Sequence, residues 1–166
     1  RAPEATICFD PFHVVKLANE AVHEVRRSEA RDRKGTPEAA ALKGSRWALL
    51  KAPENLGPRD ELKLAAVAAM NQRVYRAYLL KEGLRTIFQM PYDQAVEALD
   101  LWLGWARRSR IPAFTKLARS VKKFRDVILN AIAHRLSNSL IESVNAKIRL
   151  ITRIAFGFKN VDALIA

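Results

Sequence analysis

Glu142, Asn145 and Arg149 are spaced three and four positions apart, which places them on one face of a helix while Ile141, Val144, Ile148 and Ile151 share another. A carboxylate, an amide and a guanidinium on successive turns can hold a divalent cation, orient a ligand and meet a phosphate. The stretch also has a purely structural reading. Ser139-x-x-Glu142 is a capping box, in which hydroxyl and carboxylate satisfy the orphan backbone donors at a helix start. A second candidate carboxylate, Asp10, follows a short apolar run and precedes Pro11, a residue tolerated at the first helical position. Asp10 thus falls at a strand-to-helix junction, where open α/β sheets gather their ligand-binding groups. As the N-cap of the following helix it would serve structure alone.

The elements that must position these groups are mostly helical. Residues 5–9 read as a short buried strand holding the lone Cys8, a small buried hydrophobe. The spacing then predicts a helix from Pro11 toward Arg33, with Val14, Leu17, Ala18, Ala21 and Val25 as its core stripe. Lys34-Gly35-Thr36-Pro37 breaks it, and a second break spans residues 53–58 after a short segment at 46–51. One long Ala-rich helix is expected from Asp60 to about Gln89, with Leu62, Ala66, Met70, Val74, Ala77 and Tyr78 recurring and Gly83 weakening it. Asp93 is the expected N-cap of the next helix, which carries Val96, Leu99, Leu103 and Ala106. Trp47, Trp102 and Trp105 are expected to pack between helices. Residues 130–136 fit either a helix end or a short strand. Gly157 and Asn160 mark the end of the closing helix and the start of a last one.

Charge is unevenly spread. Of the net +12, residues 101–166 carry +10, with 13 Lys or Arg against Asp126, Glu142 and Asp162, and the first hundred residues carry only +2. Such asymmetry points to a polyanionic partner. No apolar run reaches the roughly 18 residues of a membrane span and no signal peptide opens the chain, which favours nucleic acid over a membrane. The sharpest concentration is the acid-free block of Arg107, Arg108, Arg110, Lys116, Arg119, Lys122, Lys123 and Arg125. Phe114, Leu117, Val121, Phe124 and Ile128 supply a core stripe there, leaving Lys116, Arg119 and Lys123 on another face suited to phosphates. His13, His23 and His134 have no partners at zinc spacing. Arg1 stands where an initiating Met is usual and the final apolar pattern stops mid-stride at Ala166, so we read the chain as a fragment of a longer protein.

Two segments together resemble the insertion-sequence L-three family of bacterial DDE transposases. Ile7-Cys8-Phe9-Asp10-Pro11-Phe12-His13 is similar to the family's second catalytic segment. Leu136-Ser137-Asn138-Ser139-Leu140-Ile141-Glu142-Ser143-Val144-Asn145, continued by residues 153–160, is similar to its third. The resemblance covers essentially the whole chain. It implies a mainly α piece of an α/β parent, an incomplete RNase H-like core with few short strands and a helical insertion at residues 34–129. Asp10 would be the second catalytic Asp and Glu142 the catalytic Glu, together ligating Mg²⁺ or Mn²⁺ in a two-metal site that stays incomplete without an upstream Asp. Lys116, Arg119, Lys122, Lys123, Lys147, Arg149 and Arg153 would hold double-stranded DNA, transposon ends and target, with His13 and Asn145 in support. The parent would act in the bacterial cytoplasm at the nucleoid, with a homo-oligomer possible, and this piece alone would be inactive. The alternative is a non-catalytic basic helical module for nucleic-acid binding or subunit contact, in which Asp10 and Glu142 only cap helices.

Overall fold

Helix α1 (Pro11–Asp32) is the spine against which four of the later helices are laid. The computed structural model describes residues 11–135, and all the regular structure among them is helical. After α1 come α2 (Pro37–Gly44), α3 (Arg46–Leu50), a 3₁₀ turn at Pro53–Asn55, α4 (Pro58–Met70) and α5 (Gln72–Ile87). The set closes with α6 (Tyr92–Arg108), α7 (Pro112–Lys123) and α8 (Arg125–Arg135). Among the described residues no helix is long and apolar enough to cross a membrane. The strand expected at residues 5–9 and the closing helices after residue 135 lie outside the described residues.

Helix α1 starts at Pro11 and ends one residue short of Arg33, as its periodicity predicts. Val14, Ala18, Ala21 and Val25 are buried, but Leu17 is 42% exposed and Val22 takes its place in the core. An α-helix turns about 100° per residue, so Leu17 falls on the edge of the stripe centred on Ala18 and Val22. Gly35 turns the chain at φ +90, a conformation open to residues without a Cβ. Thr36 then caps α2 by accepting from the Ala39 amide.

The long helix expected across residues 60–89 is two helices. Asn71 breaks it at φ −138, ψ 88, and its side chain caps α5 by accepting from the Val74 amide. The same side chain donates to Glu29 and Glu38 at 2.9 Å each. Tertiary partners 42 and 33 positions back in the chain thus offset the cost of interrupting the helix. Val74, Ala77 and Tyr78 of the expected stripe are buried, whereas Leu62, Ala66 and Met70 on α4 are exposed. Helix α6 starts at Tyr92 after Pro91, so Asp93 sits in its first turn rather than at the cap.

Trp102 is buried and its indole N–H donates to the Leu80 carbonyl at 2.8 Å, tying α6 to α5 where Gly83 lets the ring approach. Trp105 packs partly buried against the same core. Trp47 departs from expectation. It is 61% exposed, with the Arg46 guanidinium 4.9 Å from its ring centroid. Lys81 is buried and donates to the carbonyls of Leu49 and Lys51 at 2.8 and 3.2 Å while pairing with Glu82. Burial holds its ammonium below the usual lysine range, opposed by Glu82. Lys81 is therefore a tie between α5 and the end of α3.

Candidate nucleic-acid interface

Asp10, Glu142, Asn145, Lys147, Arg149 and Arg153 lie outside the described residues, so the described interface is built from helices between the two candidate acids. His13 is exposed in the first turn of α1, three positions after Asp10 in the sequence.

Helix α7 separates its two faces as its spacing predicts. Ala113, Phe114, Leu117, Ala118 and Val121 are buried, and Lys116, Arg119, Lys122 and Lys123 are exposed. Lys116, Arg119 and Lys123 advance by three and four residues, a stripe about 10 Å long. Exposed cations at that pitch can follow a phosphate backbone without reading bases. Two members of the expected pattern behave differently. Phe124 is 37% exposed, because α7 ends at Lys123 and the chain turns into α8 there. Arg125 is engaged within the fold, donating through Nε and Nη2 to both carboxylate oxygens of Asp100 at 2.8 Å. That fork pulls Asp100 below the usual carboxylate range. The turn before α7 holds Arg110 at φ 58, the single non-glycine residue with positive φ among those described. Ser109 braces the turn, donating to the Ala106 carbonyl and accepting from the Ile111 amide.

The structure also assembles a cationic surface that residue counting passes over. Winding α1 brings Lys16, Arg27 and Arg31 along one side, the turn after it adds Lys34, and docking α2 and α3 beside it adds Lys43 and Arg46. Together they line an open groove of about 1080 Å³. His23 and Arg26 lie on its floor, and Glu20 and Glu24 are its only carboxylates among the described residues. Arg26 is 7% exposed. It donates to the Leu42 carbonyl at 3.0 Å and lies 3.5 Å from His23 Nδ1. Its Nε, and the side-chain oxygen of Asn19 on the same wall, are buried with no hydrogen-bond partner among the described residues. Burial, then the charges of Arg26, Arg46 and Arg27, push the His23 imidazole below its ordinary 6.5, so the ring is neutral at pH 7. Among the described residues no carboxylate pairs with Lys16, Arg27, Lys34, Lys43 or Arg46.

Sequence reasoning missed this groove because Glu20 and Glu24 alternate with its cations and the first hundred residues nearly cancel in charge. A signal was present. Lys16, His23, Arg27, Arg31 and Lys34 recur at steps of seven, four, four and three, a helical stripe that winding would bring together. No group of three or more potential metal ligands exists among the described residues.

Comparison with known proteins places these features in context. A transposase family model matches residues 1–166. The transposase for insertion sequence element IS1557 of Mycobacterium tuberculosis is 46% identical over 188 aligned positions, covering 100% of this chain and 42% of the relative. The transposase for insertion sequence element IS1001 of Bordetella parapertussis is 32% identical over 165 positions, covering 97% of this chain and 40% of the relative. The chain thus spans about two fifths of the length of these curated relatives. No solved structure matches it.

Proposed function

From the premise that this chain belongs to the L-three family of insertion-sequence transposases, we propose that it is part of the catalytic region of an enzyme that cleaves and joins DNA strands. The observation that carries the proposal is the match over the whole of residues 1–166, including both acid-bearing segments. In this reading residues 34–129 are a helical insertion in an RNase H-like core, and Asp10 and Glu142 are two acids of a three-acid site. The helical character of the described residues supports the insertion, because a chain must fill the 132-residue separation of those acids with something able to fold locally.

The donor chemistry fits the proposed ions. Asp10 and Glu142 offer hard carboxylate oxygens, the ligands that Mg²⁺ and Mn²⁺ take, and the histidines of the chain are not required. Such ions, when bound, would make a water or 3′-hydroxyl a stronger nucleophile and neutralise charge on the leaving oxygen at a phosphodiester. The remaining work belongs to the protein's own groups. Lys147, Arg149 and Arg153 follow Glu142 and would hold the phosphates that flank the reacting bond. Lys116, Arg119, Lys122 and Lys123 would anchor DNA farther along. His13 and Asn145 would orient the two carboxylates or touch the backbone. The setting would be the bacterial cytoplasm at the nucleoid, with transposon ends and target as the DNA partners and self-association possible in the parent.

The test is strand cleavage by the full-length transposase on its own element's end DNA with Mg²⁺. Asp10→Asn and Glu142→Gln should each reduce cleavage by at least about 10³-fold while leaving DNA binding in place. Cleavage retained by either variant would sink the catalytic assignment and leave a basic helical binding module. The 166-residue chain alone should not cleave. Mg²⁺-dependent cleavage by that chain, abolished by Asp10→Ala, would overturn the three-acid reading.

A further inference from the structure

We propose that the groove between α1 and the α2–α3 pair is a second DNA site, one that grips the sugar–phosphate backbone of a strand running along α1. The proposal rests on the transposase reading above and adds to it a surface separate from α7.

Charge complementarity comes first. Seven Lys or Arg side chains line the groove against Glu20 and Glu24. A folded domain ordinarily intersperses both signs on its surface, and mutually repelling cations gathered in a concavity call for an anion. Several cations elsewhere among the described residues are partnered: Lys51 with Asp60, Arg73 with Glu29, Arg85 with Glu54 and Glu82, and Arg125 with Asp100. In the groove, among the described residues, Arg31 alone reaches a carboxylate, Asp32 at 4.0 Å, and both side chains are mostly exposed.

The groove floor is the second argument. Arg26 is fixed by the Leu42 carbonyl, yet its buried Nε donor is unsatisfied among the described residues, a state buried polar groups rarely keep. The Asn19 amide has an unsatisfied oxygen on the same wall, and rotating that amide would present its two donors to an anion. Preset donors at the bottom of a cationic trough are what bind phosphate oxygens.

Dimensions and direction point to a polymer rather than a free anion. From Lys16 to Arg31 the helix rises about 22 Å, which matches roughly six nucleotide steps at 3.4 Å per step. Arg46 and the exposed Trp47 ring stand at the α3 side, a cation on an apolar surface that can lie against sugar or base. The stripe opens six positions after Asp10 in the sequence, so a strand held along α1 would be flanking DNA leading from the proposed catalytic end.

The test measures binding of the 166-residue chain to a labelled DNA duplex of arbitrary sequence, by fluorescence anisotropy across salt concentrations. One variant carries Arg27→Gln, Arg31→Gln, Lys43→Gln and Arg46→Gln, all exposed positions, and the other carries Lys116→Gln, Arg119→Gln and Lys123→Gln on α7. The groove variant should bind at least about 30-fold more weakly at 0.1 M salt. Its slope of log affinity against log salt should be shallower by roughly 3, near 0.9 for each phosphate no longer neutralised. As an independent reading, DNA should raise the His23 titration followed by NMR, since an anion offsets Arg26, Arg27 and Arg46 around the ring. A groove variant with unchanged affinity and slope, beside a weakened α7 variant, overturns the groove and leaves the transposase reading standing. Competition by polyglutamate as effective as by DNA overturns the nucleic-acid assignment of the groove. A wild-type chain that binds no DNA at 0.1 M salt removes both.

Discussion

Two sides of α1 use the same residue types to opposite ends. On one side Glu29, its side chain 5% exposed, accepts from Arg33, from Asn71 at 2.9 Å and from Arg73 at 3.3 Å, while Asn71 and Arg33 also reach Glu38. Three donors close on one carboxylate. On the other side Arg27, Arg31 and Lys34 face a groove whose cations outnumber its acids. Residue type alone does not distinguish these sides. The difference lies in pairing, which is a property of the fold, and it separates charge that holds the molecule together from charge left for something else to meet.

The sharpest way to break that contrast is to remove Glu29. Glu29→Ala would leave the Asn71 amide and Arg33 with Glu38 alone and Arg73 with no carboxylate, and losing one partner of a buried charged network costs several kcal/mol. Arg33 and Arg73 are 38% and 51% exposed and would relax into water, which reduces the cost to about 2–3 kcal/mol. A urea midpoint should fall accordingly, while folded protein keeps the DNA affinity of the parent chain. A loss of affinity with no loss of stability would mean the two sides have been assigned the wrong way round.

Removing single cations gives a smaller and sign-sensitive comparison. Arg73→Gln should destabilise, by at most about 1 kcal/mol given its exposure. Arg27→Gln should leave stability within about 0.5 kcal/mol and on the favourable side, because it relieves repulsion with Arg26. Urea titrations at low salt test the pair, and the difference should shrink at 1 M salt. If both substitutions destabilise equally, the groove cations are structural and the contrast fails.

These regions were unequally legible in the sequence, for physical reasons. Helix α1 was readable because Pro11 and a 3.6-residue stripe are local signals. The exposed face of α7 was readable because its cations stand in an acid-free block. The break at Asn71 was not, since an Ala-rich stretch favours one helix and the partners that outweigh it, Glu29 and Glu38, come from α1 and α2. Arg125 was counted among the basic block although Asp100, 25 positions back, engages it. Trp47 looked like a packing residue by type, and its exposure follows from the short α3 turning its other face, Ala48 and Leu49, inward. The acids proposed for catalysis rest on motif and family, since Asp10 and Glu142 lie outside the described residues.

The smallest effect is also the most local. His23 is held below 6.5 first by burial and then by Arg26, Arg46 and Arg27, with Glu20 and Glu24 on the same groove as the nearby acids. A base with a depressed folded-state pKa takes up its proton less readily folded than unfolded. Between that lowered value and 6.5 the unfolded chain therefore binds more protons, and stability must fall as pH drops through the window and level off beneath it. Urea midpoints taken from pH 7.5 down to 5 should show this limb in the parent chain and a flatter one in His23→Gln. A polyanion seated in the groove would raise the imidazole's pKa toward its ordinary value, so saturating DNA should flatten the limb in the parent chain as the substitution does. A limb that DNA leaves untouched would place the bound phosphates elsewhere, and the unpaired side of α1 would lose its proposed partner.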